Sequence, residues 1–142
     1  MIEQKSKSPL ALMEQAIMIL VFAFAAALCM QAFVKADSMS KKLAERDRAV
    51  NICQTVAETV KAQNGNLDLA AELLGGSAAE ELLLYYNKEW NVVKETEAVY
   101  ELRLVCKECT PYLTQSEITV TVVENGEVLF GLPVSWQEVS HE

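Results

Sequence analysis

Residues 10–34 read LALMEQAIMILVFAFAAALCMQAFV, an apolar run interrupted by Glu14, Gln15 and Gln31. As a helix rising about 1.5 Å per residue, the run is roughly 37 Å long, enough to cross a hydrocarbon core of about 30 Å with some tilt. It reads as a membrane span. Its charge, Glu14, stands out, because a carboxylate in apolar surroundings is costly and needs a partner or a functional reason. The plain structural account is that Glu14 snorkels to the headgroup region, with the core of the span starting at Ala16. The other account is that Glu14 meets a partner.

A secretory signal peptide is the second reading of the same stretch, with Lys5 and Lys7 as its basic start and Val34-Lys35-Ala36 as a weak small-residue cleavage pattern. The apolar run exceeds the roughly 7 to 15 residues usual for a removed signal, so retention as an anchor is the expectation. Orientation is contested. Lys35, Lys41, Lys42, Arg46 and Arg48 follow the span, whereas Lys5 and Lys7 precede it. A positive-inside count alone would put the distal part in the cytoplasm.

Beyond the span no helix breaker occurs before Asn64-Gly65. Met39, Leu43, Val50, Cys53, Val56 or Ala57, and Val60 recur at helical spacings and draw one apolar stripe, with Lys41, Lys42, Glu45, Arg48, Glu58 and Lys61 on the other face. The spacing predicts one helix from Pro9 to Gln63, about 80 Å long, whose first part is apolar all round and whose second part is amphipathic. Gly65 is the expected left-handed cap.

The segment LDLAAELL, from Leu67, predicts a short helix, and Ser77-Ala78-Ala79-Glu80 after Gly75-Gly76 has the form of a capping box that would open another. Strand patterns follow. EWNVVK, residues 89–94, is the weakest; VYELRLVC, residues 99–106, alternates with Tyr100, Leu102, Leu104 and Cys106 inward; ITVTVV, residues 118–123, alternates as well. Asn125-Gly126 predicts a type I′ hairpin turn into the last strand, residues 128–136, where Pro133 implies an edge position or a bulge. The fold class is thus α+β, a long N-terminal helix packed on a small antiparallel four-stranded sheet. Four regions result: a basic leader at 1–9, the transmembrane helix at 10–34, its amphipathic continuation at 35–63, and a head of short helix plus sheet at 64–142.

The net charge of −8 is unevenly distributed, with four Lys or Arg against fourteen Asp or Glu in residues 64–142. An acidic head argues against nucleic-acid binding, which needs a basic surface for phosphates. It serves solubility or forms an acidic face for a partner. Paired carboxylates at Glu80-Glu81 and Glu95/Glu97 read as a solvated face. Trp90, Trp136, Tyr85, Tyr86, Tyr100 and Phe130 read as core or sheet packing, or as a contact surface if they cluster on an exposed face.

No catalytic arrangement emerges, and the expectation is a protein that is not an enzyme. The single histidine, His141, is penultimate, so serine and cysteine nucleophiles lack a base, and Gly75-Gly76 lacks the Lys-Ser/Thr of a phosphate loop. Cys106-Lys107-Glu108-Cys109 is a C-x-x-C that ends a strand, whereas redox motifs open a helix. Zinc would need Cys53 and His141 as further ligands, and no metal or cofactor is expected. A disulfide joining Cys106 to Cys109, or either of them to Cys53, requires an oxidising compartment; the alternative is reduced cysteines with Cys53 a buried small hydrophobe.

The order of parts resembles a type IV pilin or pseudopilin, in which a short basic leader precedes an apolar helix with glutamate at the fifth mature position, followed by an amphipathic continuation against an antiparallel sheet. Lys5 and Lys7 correspond to the leader, Pro9 to its last residue, Leu10 to the first mature residue and Glu14 to the fifth. Ser8-Pro9 stands where most leaders end in glycine, and LALMEQA replaces the usual Thr-Leu-Ile-Glu-Leu-like run. TadE-like pilus-assembly proteins, with a glutamate at the start of a single span, are an equally near resemblance. Either implies a bacterial, single-pass protein of the inner or cytoplasmic membrane with its C-terminal domain extracytoplasmic. The implied partners are membrane lipid, other pilin-like subunits or copies of itself through the apolar helix, and a prepilin peptidase. A membrane-anchored extracytoplasmic binding or scaffold domain that forms no fibre is the alternative function.

Overall fold

The structure is a computed structural model and describes residues 8–110 and 113–137. Lys5, Lys7 and His141 lie outside the described residues. Helix α1 runs Ser8–Ala62, α2 runs Leu67–Leu74, and five strands follow: β1 Ser77–Ala78, β2 Leu82–Tyr86, β3 Tyr100–Cys109, β4 Thr114–Val122 and β5 Val128–Trp136. The chain divides into two units between Lys42 and Leu43.

In the first unit, α1 is long and apolar enough to cross a membrane, and its apolar window is wholly exposed. Its length and composition are compatible with a single-pass membrane anchor. Phe22 and Phe33 are 77% and 75% exposed. Burying one such side chain contributes about 1.5 to 3 kcal/mol, so a run of them in water is strongly unfavourable, and lipid or another protein surface is the fitting surround. The helix continues unbroken through Val34-Lys35-Ala36.

The second unit builds its core between the C-terminal part of α1 and one face of the sheet. Ala49, Cys53, Val56, Ala57 and Val60 of α1 are buried in one cluster with Leu82, Leu84, Leu102, Leu104, Ile118 and Val120. Their spacing along α1 is that of a single helix face. Met39 and Leu43, expected in the same stripe, are each 56% exposed, and Val50 is half-buried beside the buried Ala49. The packed stripe therefore starts at Ala49, about three turns after Met39, where the apolar pattern begins.

The sheet is an antiparallel meander in the order β1-β2-β3-β4-β5. It has five strands rather than four because residues 77–86 do not continue as helix. Gly75 caps α2 and the Gly76 N–H donates to the Ala71 carbonyl at 2.9 Å. A β-carbon at Gly76 would lie 2.6 Å from the Leu83 carbonyl oxygen, so the chain is pressed against β2 and turns into β1 instead of opening a capped helix. Leu82, Leu84 and Tyr86 then alternate inward with Leu83 and Tyr85 less buried, the period of a strand.

Residues 89–94 are not a strand. The Asn87 side chain accepts the N–H groups of Glu89 and Asn91 at 3.1 and 2.9 Å, and Trp90 has φ +63°, which folds the segment into a loop. Val92 alone bridges Tyr86. On β3, Tyr100, Leu102 and Leu104 are buried as the alternation requires, while Cys106 is half-buried where the strand runs out past the core. A register shift between Cys106 and Glu108 marks that end.

The β4–β5 hairpin differs from a two-residue type I′ turn. Its loop is residues 123–126, closed by Val122 N–H to the Glu127 carbonyl at 2.9 Å and Gly126 N–H to the Val122 carbonyl at 2.8 Å. Gly126 has φ +68°, but Asn125 stays out of the left-handed region that type I′ requires of both central residues. Its side-chain oxygen instead accepts the Glu127 N–H at 2.9 Å, a turn made by the side chain. Pro133 sits opposite Glu117 on β5, an edge strand, where the missing N–H is tolerated.

Candidate functional site: the apolar helix and its carboxylate

Pro9 lies in the first turn of α1, where proline's fixed φ suits a helix and its lacking N–H costs nothing. Leu10 and Glu14 follow one turn apart on the same side of the helix, both exposed. Leu10, Ala11, Met13, Ile17 and Met18 are the neighbours of Glu14 along one side of α1, all of them exposed as Glu14 is. Among the described residues Glu14 has no ion-pair partner. A carboxylate on an otherwise apolar helix surface can do one of two things in a membrane: reach the interface, or meet a cation that another molecule supplies. The charge next along α1 after Glu14 is Lys35, 21 positions away in the sequence.

The cysteines divide into three environments. Cys106 and Cys109 form a disulfide across the end of β3, with Cα atoms 6.7 Å apart. Cys53 is a free, fully buried thiol on the packed face of α1, and its surroundings push its pKa up to about 11 because burial disfavours the thiolate. It is therefore no nucleophile. Cys29 is free and exposed among the apolar residues of the first unit. The pairing leaves Cys53 out of the disulfide. Among the described residues no three His, Cys, Asp or Glu side chains gather in a way that could hold a metal ion.

The aromatic residues are divided by the sheet. Trp90 stacks on Tyr100 with ring centres 4.0 Å apart and planes 6° apart, and Tyr86 completes the group at 6.2 Å from Trp90. Burial, together with the neighbouring Cys53, raises the Tyr86 pKa to about 12. Burial first, then the Glu45 carboxylate as charge and hydrogen-bond acceptor, raises that of Tyr100. Its helical spacing places Glu45 with the solvated residues, whereas it is half-buried one turn before the buried Ala49.

The outer face of the sheet is polar. Arg103 on β3 holds Glu101 at 2.8 Å and Glu81 at 3.5 Å, and Lys107 pairs with Glu117 across β3 and β4. The Glu101 bond, then the charges of Glu101 and Glu81, raise the Arg103 pKa further. These exposed pairs order side chains and contribute little stability. Glu80, Glu95 and Glu97 are exposed, without the mutual geometry of an acid and base pair.

No known protein family, curated protein or solved structure matches the chain.

Proposed function

We propose that this chain is a non-catalytic, membrane-anchored subunit of a pilin-like assembly, of the type IV pilus or secretion-fibre kind. The observation that carries the reading is Glu14, an exposed carboxylate on the apolar part of α1, without an ion-pair partner among the described residues, at the fifth position counted from Leu10. In such a role its partner is a cation on a neighbouring subunit, foremost the amine freed at Leu10 by cleavage after Pro9. A paired charge costs little in lipid and an unpaired one costs several kcal/mol, so the pairing would hold neighbouring helices in register. The apolar helix then has two surrounds, lipid before assembly and other copies afterwards.

The Cys106–Cys109 disulfide supports an extracytoplasmic head, since such bonds persist in oxidising compartments. The bases after the span weigh the other way by simple count, and the disulfide is the stronger indicator because reduction in a cytoplasm would remove it.

The test is mass spectrometry of the chain extracted from membranes, together with recovery of assembled material. A mature N-terminus at Leu10 and loss of assembly in Glu14→Ala, with membrane insertion retained, are the expected results. An intact Met1 with a monomeric chain and no effect of Glu14→Ala would leave a simple anchored binding or scaffold domain.

A further inference from the structure

Two exposed patches of opposite charge remain unused by the core and by the Glu14 pairing. On α1, Lys35, Met39, Lys42, Leu43 and Arg46 fall within about 100° of one helix face, at spacings of three and four. All five are exposed, and among the described residues none of the three cations has an ion-pair partner. Lys41, on another side, is held by Asp37 at 2.7 Å. The result is a basic face with two uncovered apolar side chains one turn apart.

The second patch is on α2. Leu69 and Leu73, again one turn apart, are 46% and 66% exposed, while Ala70 and Ala71 take the buried side. Asp68 and Glu72 form the adjoining stripe, both exposed and without an ion-pair partner among the described residues. Leu67 and Leu74 pack partly against the core beside the alanines, so α2 has one face covered and leaves Leu69 and Leu73 uncovered on the other, an apolar pair open to a contact. The patch matches the basic face feature for feature: two apolar side chains at a one-turn spacing, flanked by charge of the opposite sign.

We infer that the α2 patch of one copy docks on the basic face of α1, residues 35–46, in the next copy. The contact joins two different surfaces, and a contact of that kind repeats from copy to copy instead of closing in a pair. Charge complementarity sets its register and excludes like pairings, since two acidic α2 patches repel. The inference rests on the reading of the chain as an assembling subunit. It also gives the bases after the span a use other than setting membrane orientation.

The experiment mixes ¹⁴N- and ¹⁵N-labelled full-length chains in neutral detergent, couples amines to carboxylates with a zero-length reagent, and identifies mixed-isotope peptides. Crosslinks from Lys35 or Lys42 to Asp68 or Glu72 are expected between copies. Lys42→Glu with Arg46→Glu should lower association about tenfold, as should Asp68→Lys with Glu72→Lys, and all four together should restore it. All four positions are exposed, and unchanged far-UV circular dichroism checks the fold.

An oligomer lost in Glu14→Ala but indifferent to the charge reversals would overturn this contact and leave the proposed function standing. A chain monomeric in every form would overturn both. If reversal on α1 abolishes binding to vesicles containing anionic lipid while reversal on α2 changes nothing, the basic face belongs to lipid headgroups and the contact is refuted.

Discussion

The indole of Trp136 lies against Gly65, so close that a β-carbon added there collides with Nε1 and comes within 2.9 Å of Cε2. Gly65 ends the turn after α1 with φ +81°, and its N–H donates to the Val60 carbonyl at 2.9 Å. The last strand is thus locked onto the end of the long helix through a residue that has no side chain. Two costs follow for Gly65→Ala: a left-handed backbone and an overpacked contact, together about 3 kcal/mol. In a Trp136→Ala background the same change should cost only the backbone part, about 1 kcal/mol. Denaturant unfolding of the four chains of this cycle in detergent measures the difference, and equal costs in both backgrounds would deny the contact.

Cys53 makes the head sensitive to alkali. Its folded pKa is raised from 9.0 to about 11 by burial, so the unfolded chain loses the thiol proton first as pH rises. Its contribution is intact below pH 9 and is lost between 9 and 11, and Tyr86, raised from 10.0 to about 12, adds to the loss at the upper end. Between pH 8 and 10.5 the stability should fall by about 2 kcal/mol on account of the thiol. Cys53→Ala should lose about 1 kcal/mol at pH 8 from the vacated space and show a shallower fall above pH 9. Parallel falls for the two chains would assign the alkaline loss to other groups.

The parts legible in the sequence are those where one signal stands alone. The apolar run, the absence of a breaker before Asn64-Gly65, and the alternation of Tyr100, Leu102 and Leu104 each admit one local structure. Leu82-Leu83-Leu84-Tyr85-Tyr86 does not: five apolar residues in a row fit helix or strand, and pairing with β3 decides it. Ser77 to Glu80 carries a real capping pattern, defeated by the tight seat of Gly76 against β2. Glu14 was legible because a charge in an apolar run needs no context to be noticed. The α2 patch was hidden, because which of its residues face the core depends on packing that the eight-residue helix does not encode alone.

The cysteine pairing makes a countable prediction. Denatured without reduction, chain extracted under alkylating conditions should take up two alkyl groups, at Cys29 and Cys53, and four after reduction. Four without reduction would remove the support for an extracytoplasmic head. Because the bridge closes only a short loop, Cys106→Ser with Cys109→Ser should cost at most about 2 kcal/mol. The loss should be local, with hydrogen exchange faster at the outer ends of β3 and β4 and unchanged at Leu102 and Val120.

Trp90 holds a left-handed backbone, φ +63°, which is unfavourable for a bulky side chain, and its stack on Tyr100 is what offsets that strain. Removing the ring should therefore reverse the usual order of glycine and alanine. Trp90→Ala loses the stack and keeps the strain; Trp90→Gly loses the stack and relieves the strain, so the glycine chain should be the more stable of the two by about 1 kcal/mol. Both should fall below the parent, and both should lose the near-ultraviolet dichroism of the packed indole. If alanine proves the more stable, the loop relaxes to an ordinary φ once the ring is gone, and the stack imposes the left-handed turn instead of compensating for it.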